Sequence, residues 1–262
     1  MRLLIQSLQK CLVCLTLLLA AALPIQALAQ PTVAAAASLR FALEEIRVNF
    51  ERETGHQIRL VFGSSGHLFS QINQGAPFQM FLSADEHFVF KLADTGKTQD
   101  RGLLYAVGRI GIMVPHGSAL KADAQLQDLR AALQDGRVQK FAIANPAHAP
   151  YGMRAREALQ HAGLWEAIGP RLVLGENVAQ AAQFATSGAA QGGIIGQSLA
   201  TLPALAQLGH FVLIPEHWHQ PLRQRMVLMQ GASAPVQAFY LYMSSPAAQA
   251  IMERNGFNVP RP

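Results

Sequence analysis

The chain has 262 residues, with 21 Lys and Arg against 16 Asp and Glu, and half of its residues are hydrophobic. That length supports one large domain or two small ones, each with its own core. The mild, well-spread basicity argues against nucleic acid, which wants a clustered stripe, and two cysteines, both near the N-terminus, provide no disulfide framework for the rest of the chain.

Residues 1–29 read as a secretory signal peptide. Arg2 and Lys10 give a positive start, and Leu12 to Leu23 form an apolar core. Pro24 breaks it, and Ala27-Leu28-Ala29 fits a small-x-small cleavage site near Ala29. The apolar core is shorter than the ~20 residues that a membrane span needs. Cys11 and Cys14 leave with this leader, so the mature chain has no thiol. It retains 233 residues, 19 basic against 16 acidic. A cysteine-free exported chain suits an oxidising compartment, and the expected location is the periplasm. No later apolar stretch approaches 18 residues, so a soluble protein is expected.

Past the leader, strand-like and helix-like runs alternate. Pro31 to Ala36 reads as a buried strand. Leu39, Leu43, Ile46 and Phe50 then recur at helical spacing until Gly55. Ile58 to Phe62 is a second strand, followed by a helix through Leu68 and Ile72 that ends at Gly75 and Pro77. Met80 to Leu82 is a third strand, and Ser83-Ala84-Asp85 caps a helix running to about Ala93. Leu103 to Val114 reads as one long strand interrupted by Gly108 and Gly111, and Pro115 to Ala124 as loop. A strand over Phe141 to Ala144 leads through a turn, Asn145 to Gly152, into a helix from Arg154 to His161. The strand Leu172 to Leu174 leads through Glu176-Asn177 into a helix from Val178 to Ala185. Strands at Gly193 to Ile195, Phe211 to Ile214 and Leu222 to Met229 follow, then helices near Pro235 to Met243 and Pro246 to Asn255.

This is α/β patterning with mostly parallel strands. Two β-α-β sets meet near residue 107, and the late strand and final helices rejoin the first set. The expectation is a two-lobed fold, each lobe a sheet flanked by helices. Lobe I spans 30–107 plus 216–262 and lobe II spans 108–215, with two hinge crossings.

In open α/β sheets, ligands collect where strand ends meet helix starts. Four such turns have compatible chemistry: Ser38, Ser65 with Gly66, Tyr151 with Gly152, and Val178 behind Asn177. A helix start offers free N–H groups and partial positive charge, a natural anion site. A serine before a helix is most often only an N-cap, and Tyr151 alone reads as a packed aromatic. It is the combination that points to capture of a small tetrahedral oxyanion by neutral donors.

The same residues carry a family resemblance. Ala35-Ala36-Ala37-Ser38-Leu39, Phe62-Gly63-Ser64-Ser65-Gly66, Gly75-Ala76-Pro77 through Ser83-Ala84-Asp85, Pro150-Tyr151-Gly152 with Ala155 to Leu159, Glu176-Asn177-Val178, Ala238-Phe239-Tyr240 and Gly256-Phe257 together resemble the periplasmic molybdate-binding proteins of ABC importers, the ModA family. The resemblance spans essentially the whole mature chain. It implies a hinge-closing, type II-like fold that binds molybdate, and usually tungstate, without cofactor or catalysis. It also implies delivery to an inner-membrane ABC permease and its ATPase. Carried over, Ser38 and Ser65 bind through hydroxyl and N–H, and Tyr151 and Val178 through backbone N–H. A monomer is expected. The segment Gly192-Gly193-Ile194-Ile195-Gly196 departs from the family, because many members place a ligand tyrosine there. The Tyr151 hydroxyl is expected to supply the missing donor.

Three rival readings remain. Sulfate or phosphate could replace molybdate, although a phosphate site would want an acceptor carboxylate and none sits in the four turns. Gly63-Ser64-Ser65-Gly66 superficially resembles a hydrolase nucleophile elbow, but His67 stands where that motif needs glycine. His217-Trp218-His219 offers two metal ligands without a supporting carboxylate cluster, so no cation site is expected.

Overall fold

A computed structural model describes residues 30–260; the expected signal peptide and its expected cleavage near Ala29 lie outside them. Among the described residues, ten strands form two five-stranded sheets. The first sheet has β1 (Thr32–Ala36), β2 (Arg59–Gly63), β3 (Phe78–Ser83), β4 (Leu103–Gly108) and β10 (Leu222–Leu228), in the order β2-β1-β3-β10-β4. The second has β5 (Ile110–Pro115), β6 (Phe141–Ala144), β7 (Leu172–Gly175), β8 (Gly193–Gly196) and β9 (Gly209–Leu213), in the order β7-β6-β8-β5-β9. The two follow one plan. In the first, β10 runs antiparallel to both its neighbours and the other four strands share a direction. In the second, β5 plays that part.

The helices of the first lobe follow from the apolar periodicity. The helix α1 (Arg40–Thr54) buries Leu43, Ile46 and Phe50, with Leu39 completing the stripe from the turn before it, all at 0% exposure. Gly55, in the left-handed conformation, closes it. The helices α2 (Ser65–Asn73) and α3 (Glu86–Asp94) follow β2 and β3. Near the C-terminus, α10 (Ala234–Tyr242) and α11 (Pro246–Arg254) return to this lobe, where Phe239 meets Phe50 edge-on at 5.1 Å. The second lobe holds α4 (Gln127–Gln134), α5 (Pro150–His161), α6 (Trp165–Ile168), α7 (Val178–Thr186), α8 (Gln197–Ala200) and α9 (Pro203–Ala206).

The run Leu103 to Val114, read from the sequence as one strand, is two. It divides at Arg109, β4 pairing with β10 in the first sheet and β5 with β8 and β9 in the second. The chain returns between β9 and β10, so two connections join the sheets. Arg109 ties them together: its Nη1 lies 2.6 Å from Glu216 Oε1. The helix α4 was not expected from the sequence, since Leu126 rather than a polar cap precedes it. Its first amides are instead satisfied from further upstream, Gln127 N–H donating to Asp123 Oδ1 at 2.9 Å and Asp128 N–H to Oδ2 at 3.0 Å. Among the described residues no helix is long and apolar enough to cross a membrane.

Candidate functional site

Four helix starts converge on one small cavity. Ser38 and Ser65 line it from the first lobe, and Tyr151 and Val178 line it from the second. Only about 10 Å³ is open to the centre of a water-sized sphere, roughly one water position. Among the described residues, no charged side chain lines it.

Three of the starts lie slightly earlier than the sequence suggests, which places Ser38, Ser65 and Tyr151 in first turns rather than before them, while α7 begins at Val178 as expected. Ser38 sits in a short 3-10 turn, Ala37–Leu39, that runs into α1. It caps nothing. Its hydroxyl is buried and makes no hydrogen bond of normal geometry among the described residues, although it lies near enough to the Tyr151 hydroxyl to interact with it, a costly state for a polar group. Ser65 is not the cap of α2 either; Ser64 is, accepting from the amide of His67. The fully buried Ser65 Oγ accepts from the Ala84 amide at 2.9 Å, which leaves its own proton free to donate.

The second lobe contributes amides. Pro150 opens α5 behind Ala149, which provides no side-chain cap, so the N–H groups of Tyr151 and Gly152 lack intrahelical acceptors. At α7 the Asn177 carboxamide accepts from Ala179 and Gln180 at 3.0 and 3.1 Å. The amide of Val178, first in the helix, is the one that this cap does not reach.

The Tyr151 side chain is also buried here. Its hydroxyl accepts from Gln224 Nε2 at 2.9 Å, and Gln224 Oε1 in turn lies 3.0 Å from the Tyr105 hydroxyl. Burial raises the phenol pKa, while the nearby Ser38, Gln224 and Ser198 side chains oppose that rise. Gly196 makes room for the ring: a Cβ there would lie 2.7 Å from Tyr151 Cε1. The segment that lacks a tyrosine therefore leaves space for this one. Gln224, fully buried in β10, was not singled out from the sequence; a glutamine between Arg223 and Arg225 reads as a solvent-facing polar residue.

The lobes touch around the cavity. The Gly66 amide donates to the His148 carbonyl at 2.9 Å, and a Cβ on Gly66 would come within 2.5 Å of that oxygen. Ser198 Oγ donates to the Ser38 carbonyl at 3.3 Å. Arg154, the cation nearest in sequence to the Tyr151 turn, is committed to Asp85 at 2.7 Å and to Glu157. Ser64 Oγ meets His148 Nδ1 at 2.9 Å, and Glu176 approaches the same ring. His217 and His219 do not assemble into a ligand set: His219 Nδ1 contacts the Gln220 carbonyl at 2.8 Å and His217 packs edge-on against His161.

The profile of the bacterial extracellular solute-binding protein family matches residues 31–258. The molybdate-binding protein ModA of Rhodobacter capsulatus is 32% identical over 246 residues, covering 93% of each chain. The chain belongs to this family, in its ModA group. The ModA of Escherichia coli (strain K12) is 31% identical, over 87% of this chain and 88% of its own. The solved structure of the Azotobacter vinelandii periplasmic molybdate-binding protein superposes with a TM-score of 0.79 at 28% identity, covering 88% of this chain and all of that one.

Proposed function

We propose that this protein captures molybdate, and tungstate with it, in the periplasm and delivers the anion to an inner-membrane ABC permease driven by its ATPase. The observation that carries this reading is the neutral cavity between the lobes, with Ser38 Oγ buried in it without a hydrogen bond of normal geometry. Ser38 and Ser65 donate hydroxyl and amide protons, Tyr151 and Val178 donate amides, and the Tyr151 hydroxyl adds one further donor. Each hydrogen bond to a charged acceptor contributes ~1.5–3 kcal/mol, and each helix start adds ~0.3–1 kcal/mol. Several together hold a dianion without a neighbouring cation. Rigid neutral donors select by size and shape, and the lack of a carboxylate in the lining disfavours protonated phosphate.

The division into lobe I, 30–107 with 216–262, and lobe II, 108–215, belongs to the same reading. The ligand favours the closed state because only closure brings both sets of donors to it. The protein performs no chemistry. Ser64 touches a histidine, but as a buried helix cap, so a fluorophosphonate should leave it unlabelled.

Thermal melting with molybdate, tungstate, sulfate and phosphate tests the proposal. A ligand at about a hundred times its dissociation constant adds ~2.7 kcal/mol. A large upward shift with molybdate and tungstate alone is expected. A shift with sulfate or phosphate instead would move the substrate, and no shift with any of the four would overturn the oxyanion reading.

A further inference from the structure

A second cluster lies at the rim of the cleft, outside the anion cavity. His67 on α2 comes from the first lobe; His148, before α5, and Glu176, before α7, come from the second. One ligand atom from each lies within 4.8 Å of the others. His67 Nδ1 is 3.5 Å from Glu176 Oε2, and His148 Nε2 is 3.9 Å from the same oxygen. The two rings stack at 3.7 Å.

We propose that His67, His148 and Glu176 form a site for a borderline divalent cation such as Zn²⁺, and that the bound ion clamps the two lobes together. Two imidazoles and one carboxylate are a donor set that suits zinc or copper rather than magnesium or calcium. Tetrahedral zinc bonds of ~2.0–2.2 Å put neighbouring ligand atoms about 3.3–3.5 Å apart, close to the separations from both histidines to Glu176. His148 is oriented for this task. Its Nδ1 is engaged by Ser64 Oγ at 2.9 Å, which aims Nε2 at Glu176 and is the kind of supporting contact that metal-bound histidines use. His67 and Glu176 have exposed side chains, so an ion can enter from solvent, His67 can turn onto it, and water takes the fourth position. Because the ligands come from both lobes, the complete set exists only when the lobes are closed.

The test uses untagged protein purified from the periplasm and freed of metal by a chelator. Zinc is titrated against a chromophoric chelator, and small-angle scattering follows the radius of gyration without molybdate, so that neither arm depends on the molybdate reading. One zinc per chain is expected, with compaction on binding. His67→Ala and Glu176→Gln, both exposed positions, should each weaken zinc binding at least tenfold and abolish the compaction. Wild-type zinc affinity in both variants would assign the ion to another histidine pair, such as His116 with His210, and overturn the proposal. Binding without compaction would overturn the clamp.

Discussion

The two lobes bring different chemistry to one cavity. The first offers serine hydroxyls, one without a hydrogen bond of normal geometry and one already accepting from the Ala84 amide. The second offers mainly backbone amides at the starts of α5 and α7, plus a tyrosine whose hydroxyl is held by Gln224 of the opposite lobe. Hydroxyl donors are removable by substitution, whereas amide donors depend only on where a helix begins. The first lobe's share of binding is therefore open to mutation, and the second lobe's share is open mainly through whatever prevents its approach.

The largest effect should come from blocking that approach. Gly66→Ala puts a Cβ 2.5 Å from the His148 carbonyl oxygen, across the lobe interface. Overpacking costs ~1–3 kcal/mol, and here the cost falls on closure alone. Molybdate affinity by calorimetry should fall about a hundredfold while the melting temperature without ligand barely moves. A normal affinity would show that binding does not need this contact.

Removing the hydroxyls sharpens the comparison within the first lobe. Ser65→Ala loses a donor to the anion and also strands the Ala84 amide, so affinity should fall about tenfold to a hundredfold and stability without ligand should fall by ~1–3 kcal/mol. Ser38→Ala should lose about tenfold in affinity. Its stability without ligand should hold or rise, because the hydroxyl it removes makes no hydrogen bond of normal geometry. Equal behaviour of the two variants in denaturant and in calorimetry would erase the distinction between them.

Tyr151→Phe tests the tyrosine hydroxyl of the second lobe. Affinity should weaken several-fold, and the variant should be less stable because Gln224 Nε2 loses its acceptor inside a fully buried network. Unchanged affinity would leave only the backbone role of Tyr151.

Much of this was legible in the sequence because it rests on local patterns. The stripe Leu39, Leu43, Ile46 and Phe50 became a fully buried helix face, and Asn177 caps its helix as the pattern Glu176-Asn177-Val178 suggests. The four expected site residues line one cavity. What the pattern hid was set by tertiary contact. The run from Leu103 to Val114 reads as one strand interrupted by Gly108 and Gly111; a lobe boundary was expected beside it, but nothing local shows that its two halves pair in different sheets. The helix after Leu126 is capped from Asp123, beyond the window in which caps are read. Gln224 and His148 acquire their roles from partners 73 and 84 positions away, and no spacing rule reaches that far.

The smallest expected effect is with pH, and it too separates the lobes. Burial, first, and the neighbouring His67 hold His148 below its ordinary pKa of 6.5, with Glu176 opposing. When the lobes part, the ring regains water and its pKa returns toward 6.5. Above that value both forms are neutral and pH has no leverage. Below it the open form binds more protons than the closed form, so closure weakens as the pH falls through 6.5. Molybdate affinity should drop a few-fold between pH 7.5 and 5.5, and His148→Gln should flatten the dependence. An equally steep decline in that variant would shift the sensitivity to His219, which burial also holds low, and with it from the cleft rim to the connection between β9 and β10.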